Sequence, residues 1–180
     1  MGKYAVINPA TGEELASYPD ATAAEIEQAI ASAQQAYTEW SRTTTVAERA
    51  ALAQRAAELF EERKEGLGAI INREMGKPLA DAIGEAEFSG AIVGAFAQNA
   101  EKWLADEVLE VEDGMKTFVR NQGIGVILGI MPWNYPYYQV ARFAGPNLTL
   151  GNTIVLKHAP QCPESAAALQ QIFDDAGYPQ

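Results

Sequence analysis

Apolar and polar positions follow two patterns along the chain. Apolar residues have a helical spacing over most of the first 105 residues and form strand-like runs after that. At the start, a turn containing proline and glycine at residues 8–12 separates two short apolar stretches. Proline fixes φ and glycine accepts a positive φ, so this pattern predicts a small hairpin within residues 4–19.

Three helices are predicted between residues 22 and 104. Apolar residues recur every three to four positions over 22–40, 45–76 and 79–104. The first two segments open on Thr-x-x-Glu, a spacing at which both side chains satisfy free backbone groups of the first turn. Gly76 is expected to end the second helix, because glycine readily takes the left-handed conformation that terminates helices. The pattern therefore predicts a helical N-terminal part.

Strand signals dominate the remainder of the chain. Two alternating stretches flank an Asp-Gly pair at Asp113 and Gly114, which predicts a second hairpin. A continuous apolar run at 124–130 is typical of a parallel strand that is buried on both faces.

The order of elements from residue 124 onward predicts the fold class. The predicted elements are a strand at 124–130, a helix to about residue 150, a strand at 153–157 and a helix at 164–176. This βαβα order indicates an α/β fold with a doubly wound, Rossmann-like sheet. Two strands do not make a stable sheet of this kind, so we expect a truncated domain. We divide the chain into a helical part of the cofactor-binding domain at 1–105, a hairpin segment at 106–122 and the start of the sheet at 123–180.

Composition and charge exclude several classes of function. The chain has 24 acidic and 13 basic residues and a formal net charge of −11. Such a surface repels phosphate backbones, so nucleic acid is not an expected partner. The single cysteine, Cys162, rules out an intrachain disulfide and suits a reducing, cytoplasmic setting. No signal-peptide pattern and no apolar run of about 18 residues is present, so no membrane association is expected.

The segment directly after the first predicted strand of the sheet holds the most specific candidate chemistry. Doubly wound sheets bind ligands at the carboxyl ends of their strands, where Asn134 lies. Its side-chain NH₂ can donate to a developing oxyanion. From the residues alone, a proline-rich turn in which Asn134 caps the next helix is the more common arrangement.

Lys157 ends the second strand of the predicted sheet and therefore faces the same side as Asn134. A lysine there can donate to ribose hydroxyls or to a phosphate, although a solvated surface lysine is the more frequent case. Gly123, Gly125 and Gly129 precede and interrupt a strand, so they do not form a dinucleotide-binding fingerprint.

Two further segments favour structural interpretations. Cys162 and His158 are residue types of a nucleophile and its base, but they lie four residues apart across a proline-containing loop. A structural thiol is the better interpretation. The charges of Glu74 and Lys77 flank Gly76 and are explained by helix termination. We expect no metal site.

Four segments together resemble the aldehyde dehydrogenase family. They are Asn-Pro-Ala-Thr-Gly-Glu at 8–13, Glu-Met-Gly-Lys-Pro at 74–78, Met-Pro-Trp-Asn-Tyr-Pro at 131–136 and Gly-Asn-Thr-Ile-Val-Leu-Lys at 151–157. They stand in the family's order and spacing, the resemblance covers essentially the whole chain, and the third segment is highly specific. Residues 137–163 look most like the succinate-semialdehyde branch of that family.

The resemblance implies roles for particular residues. Asn134 would be the oxyanion-hole amide that polarises an aldehyde carbonyl. Met131, Pro132 and Trp133 would line the nicotinamide side of a cleft for NADP or NAD. Lys157 would bind the adenosine ribose or its 2′-phosphate.

Two more expectations follow from the resemblance. Pro160 stands where NAD-preferring relatives often carry a glutamate for the ribose hydroxyls, which leaves room for NADP. The hairpin at 106–122 would belong to an oligomerisation arm, so a homodimer or homotetramer that acts on a small aldehyde is expected.

The resemblance also implies what the chain lacks. In the family mechanism a cysteine thiolate attacks the aldehyde, the oxyanion is held by the asparagine amide and a backbone N–H, hydride passes to the cofactor, and water hydrolyses the thioester. The nucleophilic cysteine and the general-base glutamate lie further along a longer chain, so this chain alone is expected to be inactive. The alternative is a free-standing, catalytically dead module that binds a nucleotide or assembles with a full-length relative.

Overall fold

A hairpin opens the chain in the computed structural model, which describes residues 4–112 and 114–179. Strand β1 (Tyr4–Ile7) pairs antiparallel with β2 (Glu14–Tyr18) across the turn at 8–12. The amide of Gly12 donates to the carbonyl of Asn8 at 2.7 Å, and Gly12 has a φ of 74°. The predicted first hairpin is therefore confirmed.

Three helices follow, as predicted. They are α1 (Ala23–Ala36), which continues through a π-helical turn at Tyr37–Ser41, α2 (Val46–Met75) and α3 (Leu79–Trp103). Both capping boxes form, since the hydroxyls of Thr22 and Thr45 each accept the amide of the glutamate three residues on at 3.2 Å. Gly76 ends α2 in the left-handed conformation, with a φ of 73°.

The second hairpin is shorter than predicted. Strand β3 (Glu107–Leu109) pairs antiparallel with β4 (Thr117–Val119). The predicted Asp-Gly turn includes Asp113, which lies outside the described residues; Gly114 has a φ of 71°. The hairpin displays apolar side chains, with Val108 75% exposed and Phe118 45% exposed.

The remaining elements confirm the predicted βαβα order and the α/β fold class. They are β5 (Val126–Ile130), α4 (Tyr138–Leu150), β6 (Thr153–Lys157) and α5 (Pro163–Ala176). Strands β5 and β6 pair in parallel, with Ile130 opposite Lys157. A Cβ at Gly129 would lie 2.6 Å from the ring of Phe143, so glycine in β5 allows α4 to pack closely on the sheet.

One core joins the helical part to this sheet. Phe60 and Ile71 of α2 are fully buried together with Tyr137, Leu169 and Ile172 from the second half of the chain. Helices α2 and α3 pack against each other more extensively than any other pair of elements. The two long helices therefore form the base on which α4 and α5 rest.

The prediction that the first strand of the sheet is buried on both faces is wrong for this chain. Leu128 and Ile130, alternate residues on one face of β5, are 60% and 68% exposed. Parallel strands are buried when helices cover both faces of the sheet, and the described residues leave this part of one face open.

The outer edge of the sheet is also open. Among residues 4–112 and 114–179, β6 pairs only with β5. An apolar groove of about 430 Å³ lies beside β6, between helices α1, α4 and α5. None of the predicted site residues lines this groove.

Candidate functional site

The carboxyl ends of β5 and β6 lie side by side and carry every predicted site residue. Met131, Pro132, Trp133 and Asn134 follow β5, while Lys157 ends β6 and Pro160 follows it. The amide of Met131 donates to the carbonyl of Lys157 at 3.1 Å. The structure thus brings the predicted residues to one edge, whereas their chemical roles stay predictions.

Asn134 presents its side chain outward from the loop of residues 131–138, called the Asn134 loop below. It is exposed, and in the described part of the chain its side-chain amide has no hydrogen-bond partner. The alternative in which Asn134 caps α4 is wrong, because that helix begins after Tyr137 with no side-chain cap at the N-cap position. The amide is therefore available to a bound molecule.

His158 couples the Asn134 loop to the end of β6. Its Nδ1 accepts the amide of Ala159 at 2.8 Å, so in the neutral ring Nε2 carries the proton and donates to the carbonyl of Pro136 at 3.0 Å. Burial lowers the pKa of His158 and so favours this neutral form. Because both ring nitrogens are engaged, His158 is not free to act as a base.

Cys162 also supports the Asn134 loop. Its side chain is fully buried, with Sγ 3.9 Å from the carbonyl of Trp133. Burial raises the pKa of the thiol to about 12, and the charges of Glu74 and Glu85 add to the effect. A thiol with this pKa is protonated at neutral pH and is a poor nucleophile, which agrees with the structural interpretation.

Lys77 and Glu85 bind backbone groups of the Asn134 loop. The Lys77 ammonium pairs with Glu85 and lies 3.3 Å from the Asn134 carbonyl and 3.8 Å from the centroid of the Tyr135 ring. Oε1 of Glu85 accepts the amides of Tyr137 and Tyr138 at 3.0 and 3.2 Å. Sequence reasoning assigned Lys77 to helix termination alone and overlooked Glu85.

Glu74 performs the same capping for α5. Its Oε1 accepts the amide of Glu164 at 2.6 Å, and its Oε2 accepts the amide and hydroxyl of Ser165 at 3.2 and 2.5 Å. Burial raises the pKa of Glu74 to about 7, although these hydrogen bonds oppose the shift. The neighbouring Arg73 pairs with Glu164 at 2.5 Å.

One sequence signal could have exposed these two carboxylates. The N-cap positions of α4 and α5 hold Tyr137 and Cys162, neither of which caps its helix. The first amides of a helix need acceptors, so a helix that opens without Ser, Thr, Asp or Asn calls for an acceptor from elsewhere. Glu85 and Glu74 supply them.

Lys157 and Pro160 define the charge at the β6 end of the site. Lys157 is exposed, and its ammonium lies 5.8 Å from the centroid of the Tyr4 ring. Pro160 is half-buried and places no carboxylate beside it. Over the described ranges 4–112 and 114–179, no cluster of three His, Cys, Asp or Glu side chains could hold a metal ion. In that same part of the chain, no helix has both the length and the apolar composition to cross a membrane.

Known proteins resemble this chain in sequence over nearly all of its length. A succinate-semialdehyde dehydrogenase, NADP(+), of Deinococcus radiodurans is 46% identical over 98% of this chain. A 3-sulfolactaldehyde dehydrogenase of Pseudomonas putida is 40% identical over 98% of it. The chain spans 37% of the length of the first relative and 36% of the second.

Solved structures show the same fold, and the family assignment follows. The succinic semialdehyde dehydrogenase of Streptococcus pyogenes, solved with NADP+, matches with a TM-score of 0.92 and 32% identity over 97% of this chain and 38% of that one. The model of the aldehyde dehydrogenase family matches residues 1–180. The chain therefore belongs to the aldehyde dehydrogenase family.

Proposed function

We propose that this chain supplies the oxyanion donor and part of the cofactor site of an NADP-dependent dehydrogenase that oxidises succinate semialdehyde to the acid. The observation that carries the proposal is the free Asn134 amide at the carboxyl edge of two parallel strands. The names of the relatives support the substrate and the cofactor. Because the chain spans 37% of such a relative, we assign the activity to a longer polypeptide that contains it, called the full-length enzyme below.

Asn134 is suited to stabilise negative charge on a carbonyl oxygen. A side-chain amide donates hydrogen bonds without changing its protonation state. The backbone beneath it is fixed by contacts of Lys77, Glu85 and His158 with the Asn134 loop. A donor that is fixed in advance costs no reorganisation when charge develops, which is how oxyanion holes lower a barrier.

NADP fits the residues at this edge of the sheet. Lys157 is an exposed cation that can pair with a 2′-phosphate, and Pro160 supplies no carboxylate to repel it. Met131, Pro132 and Trp133 offer an apolar wall to the nicotinamide side. When bound, NADP+ supplies the hydride acceptor, and these residues hold and orient it beside the aldehyde. NAD lacks the 2′-phosphate and gains less from Lys157.

The proposed domain organisation follows the core. Residues 1–105 and 123–180 form one cofactor-binding unit, since α2, α3, α4 and α5 bury a common set of side chains. We assign 106–122 to an oligomerisation arm, because exposed apolar side chains on β3 and β4 mark a protein contact. The assembly we propose is a homodimer or homotetramer.

An assay of NADP+ reduction tests the proposal. The full-length enzyme should reduce NADP+ when succinate semialdehyde is added, and the 180-residue chain should not, because its single cysteine is buried and protonated. Turnover by the 180-residue chain that disappears in Cys162→Ser would contradict this account. If the 180-residue chain binds NADP+ and the full-length enzyme does not oxidise succinate semialdehyde, the alternative of a catalytically dead nucleotide-binding module would be favoured.

A further inference from the structure

The contacts behind the Asn134 loop assign a role to two residues outside the predicted site. We propose that Lys77 and Glu85 are positioning residues that set the orientation of the Asn134 amide. This inference rests on the proposed function of Asn134. Both residues act through the backbone of the Asn134 loop.

Lys77 is held in a way that a surface lysine is not. Its side chain is 11% exposed and that of Glu85 is 2% exposed. The Lys77 ammonium is shared by the Glu85 carboxylate, the Asn134 carbonyl and the Tyr135 ring. An ammonium carries three donors and strongly prefers water, so partial burial requires partners of this kind. The arrangement fixes the peptide unit that directly follows the Asn134 Cα.

The two carboxylate oxygens of Glu85 accept hydrogen bonds from different groups. Oε1 accepts the first amides of α4, which anchors the C-terminal end of the Asn134 loop, and a carboxylate there is favoured by the helix dipole. Oε2 accepts the Lys77 ammonium, which in turn contacts Asn134 itself. The other end of the loop is anchored by the hydrogen bond from Met131 to Lys157. Between these ends, His158 and Cys162 contact the carbonyls of Pro136 and Trp133, and Lys77 contacts the carbonyl of Asn134 itself.

A second lysine of the same helical pair provides a matched control. The Lys64 ammonium lies 2.6 Å from Glu61 and 3.5 Å from Glu87, so it joins α2 to α3 as Lys77 joins their linker to α3. Its ionic partners do not include the Asn134 loop. Lys64→Met thus makes the same substitution at a more exposed ion pair and leaves Asn134 supported.

Two substitutions separate the contact to Asn134 from the cap of α4. Lys77→Met removes the cation and retains an unbranched apolar side chain. Glu85→Gln retains one acceptor oxygen for the α4 amides but turns an NH₂ toward the Lys77 ammonium, so two donors face each other. Both substitutions release the Asn134 carbonyl. The double variant removes the opposed donors, so it should lose no more activity than either single variant.

Steady-state kinetics of the full-length enzyme give the first readout. Lys77→Met and Glu85→Gln should each lower kcat by roughly 10- to 100-fold, because a displacement of about 1 Å at a reacting group can cost that much. KM for the aldehyde should change little, and Lys64→Met should leave both constants near the wild-type values. A stable, folded Glu85→Gln variant with wild-type kcat would overturn the inference.

The ¹³C chemical shift of the Asn134 carbonyl in the 180-residue chain gives a readout that needs no catalysis. It should move in Lys77→Met and in Glu85→Gln but not in Lys64→Met, since hydrogen bonding to a carbonyl alters its shielding. Glu85→Gln keeps the α4 cap and carries the test if Lys77→Met fails to fold. A shift that moves while kcat stays constant refutes the positioning role and leaves the proposed function intact. If Lys77→Met and Asn134→Ala both keep the wild-type kcat, the proposed function itself is refuted.

Discussion

At the scale of single residues, the outward-facing groups of the site are few and chemically distinct. Asn134 offers an amide, Lys157 offers an ammonium, and Pro160 offers no charge to the same edge of the sheet. A 2′-phosphate is favoured by the cation and is not repelled by a carboxylate at this place. Coenzyme choice should therefore depend on the residue at position 160.

Introducing a carboxylate at that position should shift the preference toward NAD. In Pro160→Glu of the full-length enzyme, the new carboxylate can accept the ribose hydroxyls of NAD and repel the 2′-phosphate of NADP. The ratio of kcat/KM for NAD to that for NADP should rise roughly tenfold or more, since a tenfold change corresponds to about 1.4 kcal/mol. Steady-state kinetics with both coenzymes measure it.

A neighbouring residue supplies the control for charge alone. Gln161→Glu adds the same charge one residue further along, at an exposed position. It should change the coenzyme ratio much less than Pro160→Glu does. A strong preference of the unmodified enzyme for NAD, or an equal effect of the two variants, would contradict the role given to Pro160.

The outward-facing residues Asn134 and Lys157 could be predicted from the sequence, but the carboxylates that fix the neighbouring loops could not. Asn134 and Lys157 were predictable because each directly follows or ends a strand, and strand ends meet at one edge of a parallel sheet. Glu74 caps a residue 90 positions away and Glu85 caps one 52 positions away. The missing caps of α4 and α5 indicate that acceptors are needed, but which carboxylates supply them depends on how the helices pack.

At the scale of elements, the pair of long helices α2 and α3 organises both loops of the site. Glu74 near the end of α2 caps α5, and Glu85 in α3 caps α4. Neither capped helix has a capping side chain of its own. The first amides of both helices are thus satisfied by carboxylates from the helical part, which ties the loops of the sheet to that part.

The cap from Glu74 should make stability depend on pH. The ordinary pKa of a glutamate is 4.5, and burial raises that of Glu74 to about 7 in the folded chain. Between these values the folded state binds more protons than the unfolded state. The contribution of Glu74 is therefore fully present below its unfolded pKa and is lost as the pH rises through about 7. His158, with its lowered pKa, has the opposite effect below about 6.5.

Comparison of the wild-type chain with Glu74→Gln isolates this effect, because His158 is present in both. The difference in their free energies of unfolding, measured by denaturant titration, should shift against the wild type by up to about 3 kcal/mol between about pH 4.5 and pH 8, since one pKa unit corresponds to about 1.4 kcal/mol. A difference that does not vary with pH would show that folding leaves the pKa of Glu74 unchanged.

Element positions were more predictable than burial. Capping boxes and terminal glycines are local signals. Helices α1 and α2 begin at their capping boxes, and α2 ends at Gly76. The burial of β5 was predicted wrongly because an apolar run shows what a strand tends to bury, whereas Leu128 and Ile130 are covered only if another element packs on that face.

At the scale of the whole molecule, four helices share a well-packed core, whereas the sheet of β5 and β6 packs against them with one edge unpaired among the described residues. The core unites α2, α3, α4 and α5, while the outer edge of β6 and the groove of about 430 Å³ beside it have no strand among the described residues. Under the proposed function, a further strand of the full-length enzyme would pair at this edge.

The kinetic effect of Asn134→Ala in the full-length enzyme tests this account most directly. Removal of a single oxyanion donor should lower kcat on the order of 10²- to 10³-fold. KM should change much less, because the hydrogen bond strengthens only as negative charge develops. Asn99→Ala, which alters a half-buried asparagine of α3 whose amide donates to the Ala95 carbonyl of the same helix, should leave both constants near wild type. An unchanged kcat in Asn134→Ala, or a loss confined to KM, would contradict the account.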